Sequence, residues 1–72
     1  MTRDDWVEAF AAAAGIPTPA AEDVEALLEL AGVAARASER TAAPITCWIA
    51  AVAGLRPSQA LLLAESLRHA DG

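Results

Sequence analysis

This sequence is short of the residue types that usually carry chemistry. Its 72 residues include one cysteine, one histidine and three aromatic residues, with no tyrosine and no lysine. A single cysteine excludes an internal disulfide and is typical of a reducing compartment, so the sequence predicts a cytoplasmic protein. The histidine is near the C-terminus and far along the chain from the cysteine, which does not predict a metal site. We therefore expect no catalytic residues, no metal and no cofactor.

Long apolar runs and positive charge are also scarce. Five arginines against ten carboxylates give a net charge of −5, which would repel the phosphates of a nucleic acid. The longest uncharged stretch, residues 41–55, contains a proline and is shorter than the roughly 20 apolar residues that span a bilayer. A secretory signal has a basic start followed by an apolar run, whereas this N-terminus is acidic and no such run follows it. We expect neither a nucleic-acid partner nor a membrane partner.

Alanine is the residue that the sequence has in abundance. There are twenty alanines, against nineteen large apolar residues. Because alanine is the best helix former and the β-branched residues that favour strands are few, the composition predicts an all-α fold. A chain of this length forms one domain at most, and it buries too small a fraction of its surface to be more than marginally stable. The sequence predicts a single helical domain over residues 1–72.

Glycines and prolines divide the chain into four segments of helical periodicity. Gly15 and Gly54 stand where helices end, and prolines stand where the following helices begin. The connections of two to six residues favour antiparallel neighbours. The sequence therefore predicts a compact, mostly antiparallel four-helix bundle with helices over approximately 3–14, 19–38, 43–53 and 57–70.

The first two helices have different predicted surroundings. Thr2 is a candidate N-cap for the first helix, in which Trp6 and Phe10 fall on one face with the acidic residues turned away. The second helix has only a narrow polar strip, which predicts contacts on several sides and hence a central helix. Gly32 in its middle predicts either a bend or the close approach of another backbone.

The third helix is predicted to lie near the centre of the bundle, with its bulky residues filling the core. Small residues on its other side would let a neighbouring helix approach closely. In the fourth helix, Leu62 lies on the same side as serines and away from the predicted inner face, so it is a candidate contact with a partner. The bulky face of the third helix comprises Ile45, Trp48, Ile49 and Val52, and the inner face of the fourth comprises Ala60, Leu63, Ala64 and Leu67.

Two arginines flank the break between the second and third helices. Arg36 and Arg40, together with backbone N–H groups at the start of the third helix, could hold an anion. The alternative is that both arginines complement the negative end of the second helix and pair with Glu29 or Glu39. Arg36, Arg40 and Leu62 are the candidate partner or anion contacts.

The acidity, the length and the four helices also suggest an acyl or peptidyl carrier protein. That class attaches phosphopantetheine to a serine, usually within an Asp-Ser-Leu triplet at the start of the second helix. This chain has no such triplet, because Ser38, Ser58 and Ser66 lie in other contexts. The sequence does not favour a carrier protein.

The middle of the chain resembles a small helical family. The resemblance rests on Asp5-Trp6, on Leu-Leu-Glu-Leu-Ala at 27–31 and on Glu-Arg-Thr-Ala-Ala-Pro-Ile-Thr at 39–46. Members occur alone or fused to the molybdenum-cofactor guanylyltransferases (MobA-like enzymes), and Thr41 stands where they usually have proline. The similarity covers roughly residues 4–54. It implies a helical fold and, as a partner, a molybdenum-cofactor guanylyltransferase or a related factor.

Three functions follow as expectations. The first, which rests on the resemblance, is a noncatalytic accessory or protein-interaction domain linked to biosynthesis of molybdopterin guanine dinucleotide. The second is a self-associating structural module whose small core is completed by a homodimer, with no ligand. The third is binding of molybdopterin nucleotides through Arg36 and Arg40.

Overall fold

The computed structural model describes the backbone of residues 1–71 and the side chains of residues 1–68, so the side chain of His69 lies outside the described residues. The described chain contains helices and no strand, as the sequence predicted, and the all-α four-helix fold is confirmed. The chain extends 40 Å along its longest axis and 18 Å along its shortest. The helices are α1 (Arg3–Ala14), α2 (Ala21–Ala37), α3 (Ala42–Val52) and α4 (Pro57–Asp71).

Local side-chain and glycine chemistry sets both ends of α1. The Asp5 backbone N–H donates to the Thr2 hydroxyl at 3.1 Å, and the Thr2 N–H donates to an Asp5 carboxylate oxygen at 3.2 Å. This reciprocal pair is a capping box, which satisfies N–H groups that the helix itself cannot use. At the other end, Gly15 has φ of 80°, and the Ile16 N–H donates to the Ala11 carbonyl at 3.0 Å. The left-handed conformation at Gly15 ends the helix, as predicted.

The turn between α3 and α4 repeats the same glycine chemistry. Gly54 has φ of 77°, and the Leu55 N–H donates to the Ala50 carbonyl at 3.0 Å, which completes a Schellman cap. The Arg56 backbone N–H then donates to the Gln59 side-chain oxygen at 2.9 Å. Pro57 follows at the first helical position, where its missing N–H costs nothing.

The core lies where α2 meets both α3 and α4. Leu30 of α2 is fully buried and packs with Ala50 of α3 and Ala60 of α4. Arg56, just before α4, lies 3.9 Å from the carboxylate of Asp23 in the first turn of α2, so α2 and α4 begin at the same end of the molecule. We call α2, α3 and α4 the three-helix unit, and its central helix is α2. Half-buried residues that surround the core are Leu27, Cys47, Leu55 and Ala64.

The packing of α3 differs from the prediction. Its small residues Cys47 and Ala50 contact the core, whereas the predicted core face is exposed: Trp48 is 64% exposed. The central position that the narrow polar strip predicts for α2 is confirmed, because α2 packs on both α3 and α4. Helix α3 lies beside α2 and not near the centre, because only the small side of α3 allows the two helices to approach. The bulky residues then point away from α2, and no helix covers them within the described part of the chain. The exposed members of the predicted inner faces are Ile45, Trp48, Ile49, Val52, Leu63 and Leu67.

Helix α1 contributes little to this core. Ala11 is its one buried residue among the described side chains and Val7 is half-buried, while Trp6 and Phe10 are exposed. Packing between α1 and the other helices is far less extensive than the packing of α2 against α3 and α4. Its predicted aromatic face therefore lies on the surface.

Gly32 has a different role from either predicted one. A Cβ placed on Gly32 would lie 3.0 Å from Nη1 of Arg36, one turn later in α2, and the other nearest atoms belong to the same guanidinium. The missing side chain at Gly32 therefore leaves room for Arg36 to lie along the helix, and neither a bend nor another backbone is needed to explain it.

Candidate functional site

The first candidate surface is an aromatic patch on α1. Trp6 and Phe10 are one helical turn apart, with ring centroids separated by 6.0 Å and planes tilted by 37°. Together with Ile16 they border a shallow depression of about 180 Å³, in which Pro19 forms part of the wall. We call Trp6, Phe10 and Ile16 the α1 patch. Each of the three side chains is more than half exposed.

Acidic residues occupy the other side of α1, away from the two rings. Asp4, Asp5 and Glu8 lie in the first two turns, where the positive end of the helix dipole stabilises carboxylates. The only arginine of α1, Arg3, is bound to Asp4 at 2.9 Å. Helix α1 therefore combines exposed aromatic rings on one side with negative charge on the other.

A cleft between α1 and α2 lies beside this patch. It has a volume of about 530 Å³ and is open to solvent, with Val7, Val24 and Leu28 on its apolar side. Arg3, Glu8 and other charged residues line the rest. Its size reflects the loose contact between α1 and α2.

The second candidate surface is an apolar face on α3 and α4. A groove of about 250 Å³ runs between the two helices, with the core residues Leu30, Ala50 and Ala60 lining it. Ile49 also lines a neighbouring depression with Trp48 and Val52, so the groove and the depression form one continuous surface. We call it the α3/α4 face. Its exposed members are Trp48, Ile49, Val52, Leu63 and Leu67, which line the groove or the depression, and Ile45, which lies one helical turn before Ile49 on the same side of α3.

The predicted contact residues are exposed but belong to neither apolar surface. Leu62 is 70% exposed and lies outside the groove lined by Leu63 and Leu67. Arg36 is in the last turn of α2 and Arg40 is in the turn before α3, and both are exposed. Among the side chains that the structure describes, neither arginine makes an ion pair within 4 Å.

Hydrogen bonds at the corner between α2 and α3 bear on the predicted anion site. The Ala42 N–H donates to the Glu39 carbonyl at 2.9 Å, and the Ala43 N–H donates to the Arg40 carbonyl at 3.2 Å. The Thr41 hydroxyl donates to a Glu39 carboxylate oxygen at 3.2 Å. The first N–H groups of α3 are thus already used within the corner, so the Glu-Arg-Thr-Ala-Ala string fixes its shape.

Cys47 has the surroundings of a structural thiol. It is half-buried on the small side of α3, and burial raises the pKa of its thiol, which keeps it protonated and weakly nucleophilic at neutral pH. Among residues 1–68, no cluster of three or more histidine, cysteine or carboxylate side chains could hold a metal. None of the described helices combines the length and the apolar character that crossing a membrane requires.

Reasoning from the sequence missed both apolar surfaces because it put the bulky residues of α3 on an inward face and the two rings of α1 on the side opposite the carboxylates. It made no prediction for Ile16. In the described chain, twelve of the nineteen large apolar side chains are more than half exposed. The sequence feature that could have predicted these surfaces is the number of alanines. Helices that pack through alanines leave their bulky residues on the outside. Leu62 alone was identified as exposed, since it shares a side with serines.

Comparisons with known proteins give a family without an assigned activity. No curated protein and no solved structure matches the chain. One family model, described as a domain of unknown function, matches residues 1–71. Because the match covers nearly the whole sequence, the chain belongs to this family, DUF6457.

Proposed function

We propose that this chain is a noncatalytic protein-interaction domain and that it binds its partner through the α1 patch. The observation that carries the proposal is the exposed Trp6–Phe10 pair, with ring centroids 6.0 Å apart, on a helix that contributes only one buried residue among those described. Aromatic residues dominate the binding energy of protein interfaces, because they bury a large area at a small entropic cost. Contiguous exposed apolar patches are typical of such interfaces.

The charge of the chain specifies the chemistry of the partner. Asp4, Asp5 and Glu8 make the side of α1 away from the rings negative, and the whole chain carries a net charge of −5. A complementary surface is an apolar pocket for the rings on a partner of net positive charge. Lysine or arginine beside that pocket would be attracted to this chain and could also stack on Trp6.

We further propose that the partner is a molybdenum-cofactor guanylyltransferase or a related factor. The support for this step is the resemblance of residues 4–54 to domains that occur fused to those enzymes, with its most specific part in the string 39–46. A domain that is fused to an enzyme in some chains and separate in others is expected to bind that enzyme when separate. The role of this domain would then be accessory, with the chemistry in the partner.

The test is a binding titration with purified guanylyltransferase encoded by the same genome. The wild-type chain should bind, and Trp6→Ala with Phe10→Ala should weaken binding at least tenfold, because hot-spot aromatics contribute about 2 kcal/mol or more each. Added salt should also weaken binding. Leu62→Ala is the matched control, since it removes an equally exposed apolar side chain from α4.

Each outcome bears on a separate part of the proposal. Absence of binding by the wild-type chain would remove the link to the molybdenum cofactor. Binding that survives the loss of both rings but is abolished by Leu62→Ala, or by replacing Arg36 and Arg40 with glutamine, would move the contact site from the α1 patch to those residues.

A further inference from the structure

The α3/α4 face holds six of the twelve exposed large apolar side chains of the described chain, and the proposed function uses none of them. Its six side chains are each more than half exposed. At roughly 100 Å² of apolar surface per side chain, the face offers on the order of 600–700 Å², close to the about 800 Å² that each partner contributes to a standard interface. The area therefore suits a stable protein contact.

The distribution of charge identifies the occupant. Residues 41–55, which include α3 and the turn after it, carry no charged side chain although the chain as a whole has a net charge of −5. Two copies repel each other over most of their surfaces. At the α3/α4 face they can meet without bringing like charges together, whereas a charged partner would find no charge on α3 to pair with.

The size of the core gives a second reason for self-association. Among the described side chains five are buried, and three of these are alanines, leaving Leu30 and Val33 as the only large members. A domain this small rarely reaches useful stability from one such core, and oligomerisation is a common remedy. A second copy seated on Trp48 and Ile49 would extend the apolar core that Leu30 begins.

We propose that the α3/α4 face is the interface of a symmetric homodimer of this chain. Two-fold symmetry makes such an interface self-complementary, so each copy covers the groove and the bulky α3 residues of the other. Because dimerisation stabilises the folded state by mass action, the melting temperature rises with protein concentration. The interface is separate from the α1 patch, and either proposal can therefore fail alone.

The test compares charge insertions on and off the face. Sedimentation of the wild-type chain at about 100 µM should give a dimer, with a melting temperature that rises as concentration increases. Ile49→Arg should weaken dimerisation at least a hundredfold, because it places an unpaired charge in the interface. Leu62→Arg is the matched control: its site is 70% exposed and outside the groove, so the dimer should persist.

Fluorescence keeps the test independent of sedimentation. In a Trp6→Phe variant, Trp48 is the remaining tryptophan, and its emission should shift to the blue as concentration rises, because the indole leaves water. Circular dichroism should show that Ile49→Arg stays helical, and Val52→Arg serves as a second variant on the same face.

Three results would overturn the proposal. One is a monomer at every concentration, with Trp48 emission that stays typical of an indole in water. Another is a dimer that persists in both Ile49→Arg and Val52→Arg. The third is a dimer that is lost in Trp6→Ala with Phe10→Ala but kept in Ile49→Arg, because the contact would then lie on the α1 patch.

Discussion

Helix α1 and the three-helix unit differ in what their apolar residues contact. In the three-helix unit, small residues such as Ala50 and Ala60 bring the helices close around Leu30, and bulky residues lie outside. In α1, Ala11 is the buried residue and the two aromatic rings face solvent. Apolar content is therefore a poor guide to the core in an alanine-rich chain. The face of a helix that becomes buried is the one whose side chains are small enough to let the neighbouring helix approach closely.

The comparison predicts that stability resides in the three-helix unit. Leu30→Ala should lower the free energy of unfolding by about 2–5 kcal/mol, because it removes the fully buried side chain and leaves a cavity. Phe10→Ala removes a larger side chain but should cost about 0.5 kcal/mol or less, since the ring is 62% exposed. Urea unfolding at one fixed protein concentration measures both. Equal losses would show that α1 belongs to the core.

The parts of the structure that could be predicted from the sequence are those set by local chemistry. Thr2, Gly15 and Gly54 act through hydrogen bonds and backbone conformation within a few residues of themselves, so the sequence contains the whole cause. The face that α3 buries could not be predicted in this way. Without a charge in residues 41–55, both sides of α3 are apolar, and the choice depends on how closely α2 approaches.

The candidate surfaces also divide into a part that the local sequence predicts and a part that depends on packing. The exposure of Leu62 could be predicted because Ser58 and Ser66 share its side of α4. The exposure of Trp6 and Phe10 could not, because Asp5 and Glu8 on the other side of α1 give it the pattern of a helix with an inward aromatic face. Whether the two rings are buried depends on the contacts of α1 with residues far along the chain, which the local sequence pattern does not contain.

Gly15 and Gly54, which both have positive φ, sharpen the contrast between α1 and the three-helix unit. Gly54→Ala should lower the free energy of unfolding by about 1 kcal/mol, because an alanine is strained in the left-handed conformation. Gly15→Ala carries the same local strain, but the loss should appear mainly as faster amide exchange in α1 rather than in global unfolding. Amide exchange measured by NMR reports local opening of α1, and urea titration reports global unfolding, so the two measurements together separate these effects. An equal global loss for both variants would mean that α1 unfolds together with the three-helix unit.

Gly32 should respond in the opposite direction. Gly32→Ala is expected to raise the free energy of unfolding by about 0.5–1 kcal/mol, because alanine is the better helix former and φ here is not positive. The added Cβ would meet only the guanidinium of Arg36, the end of a flexible and exposed side chain that can move aside. Thermal unfolding at fixed concentration tests this, with Arg36→Ala in the same background as a control. A loss of stability would indicate that the position of Arg36 over Gly32 is itself stabilising.

The smallest expected effect concerns Cys47, which reports on the buried side of α3. Burial raises the pKa of its thiol in the folded chain, so the folded state holds its proton to higher pH than the unfolded state does. The stability that this difference contributes is fully present below the pKa of the unfolded thiol and is lost as pH rises through the pKa of the folded state. With no lysine or tyrosine in the chain, few other groups titrate in that range. Urea unfolding between neutral and alkaline pH should show a decline in the wild-type chain that Cys47→Ala lacks, and equal declines would contradict burial of the thiol between α3 and α2.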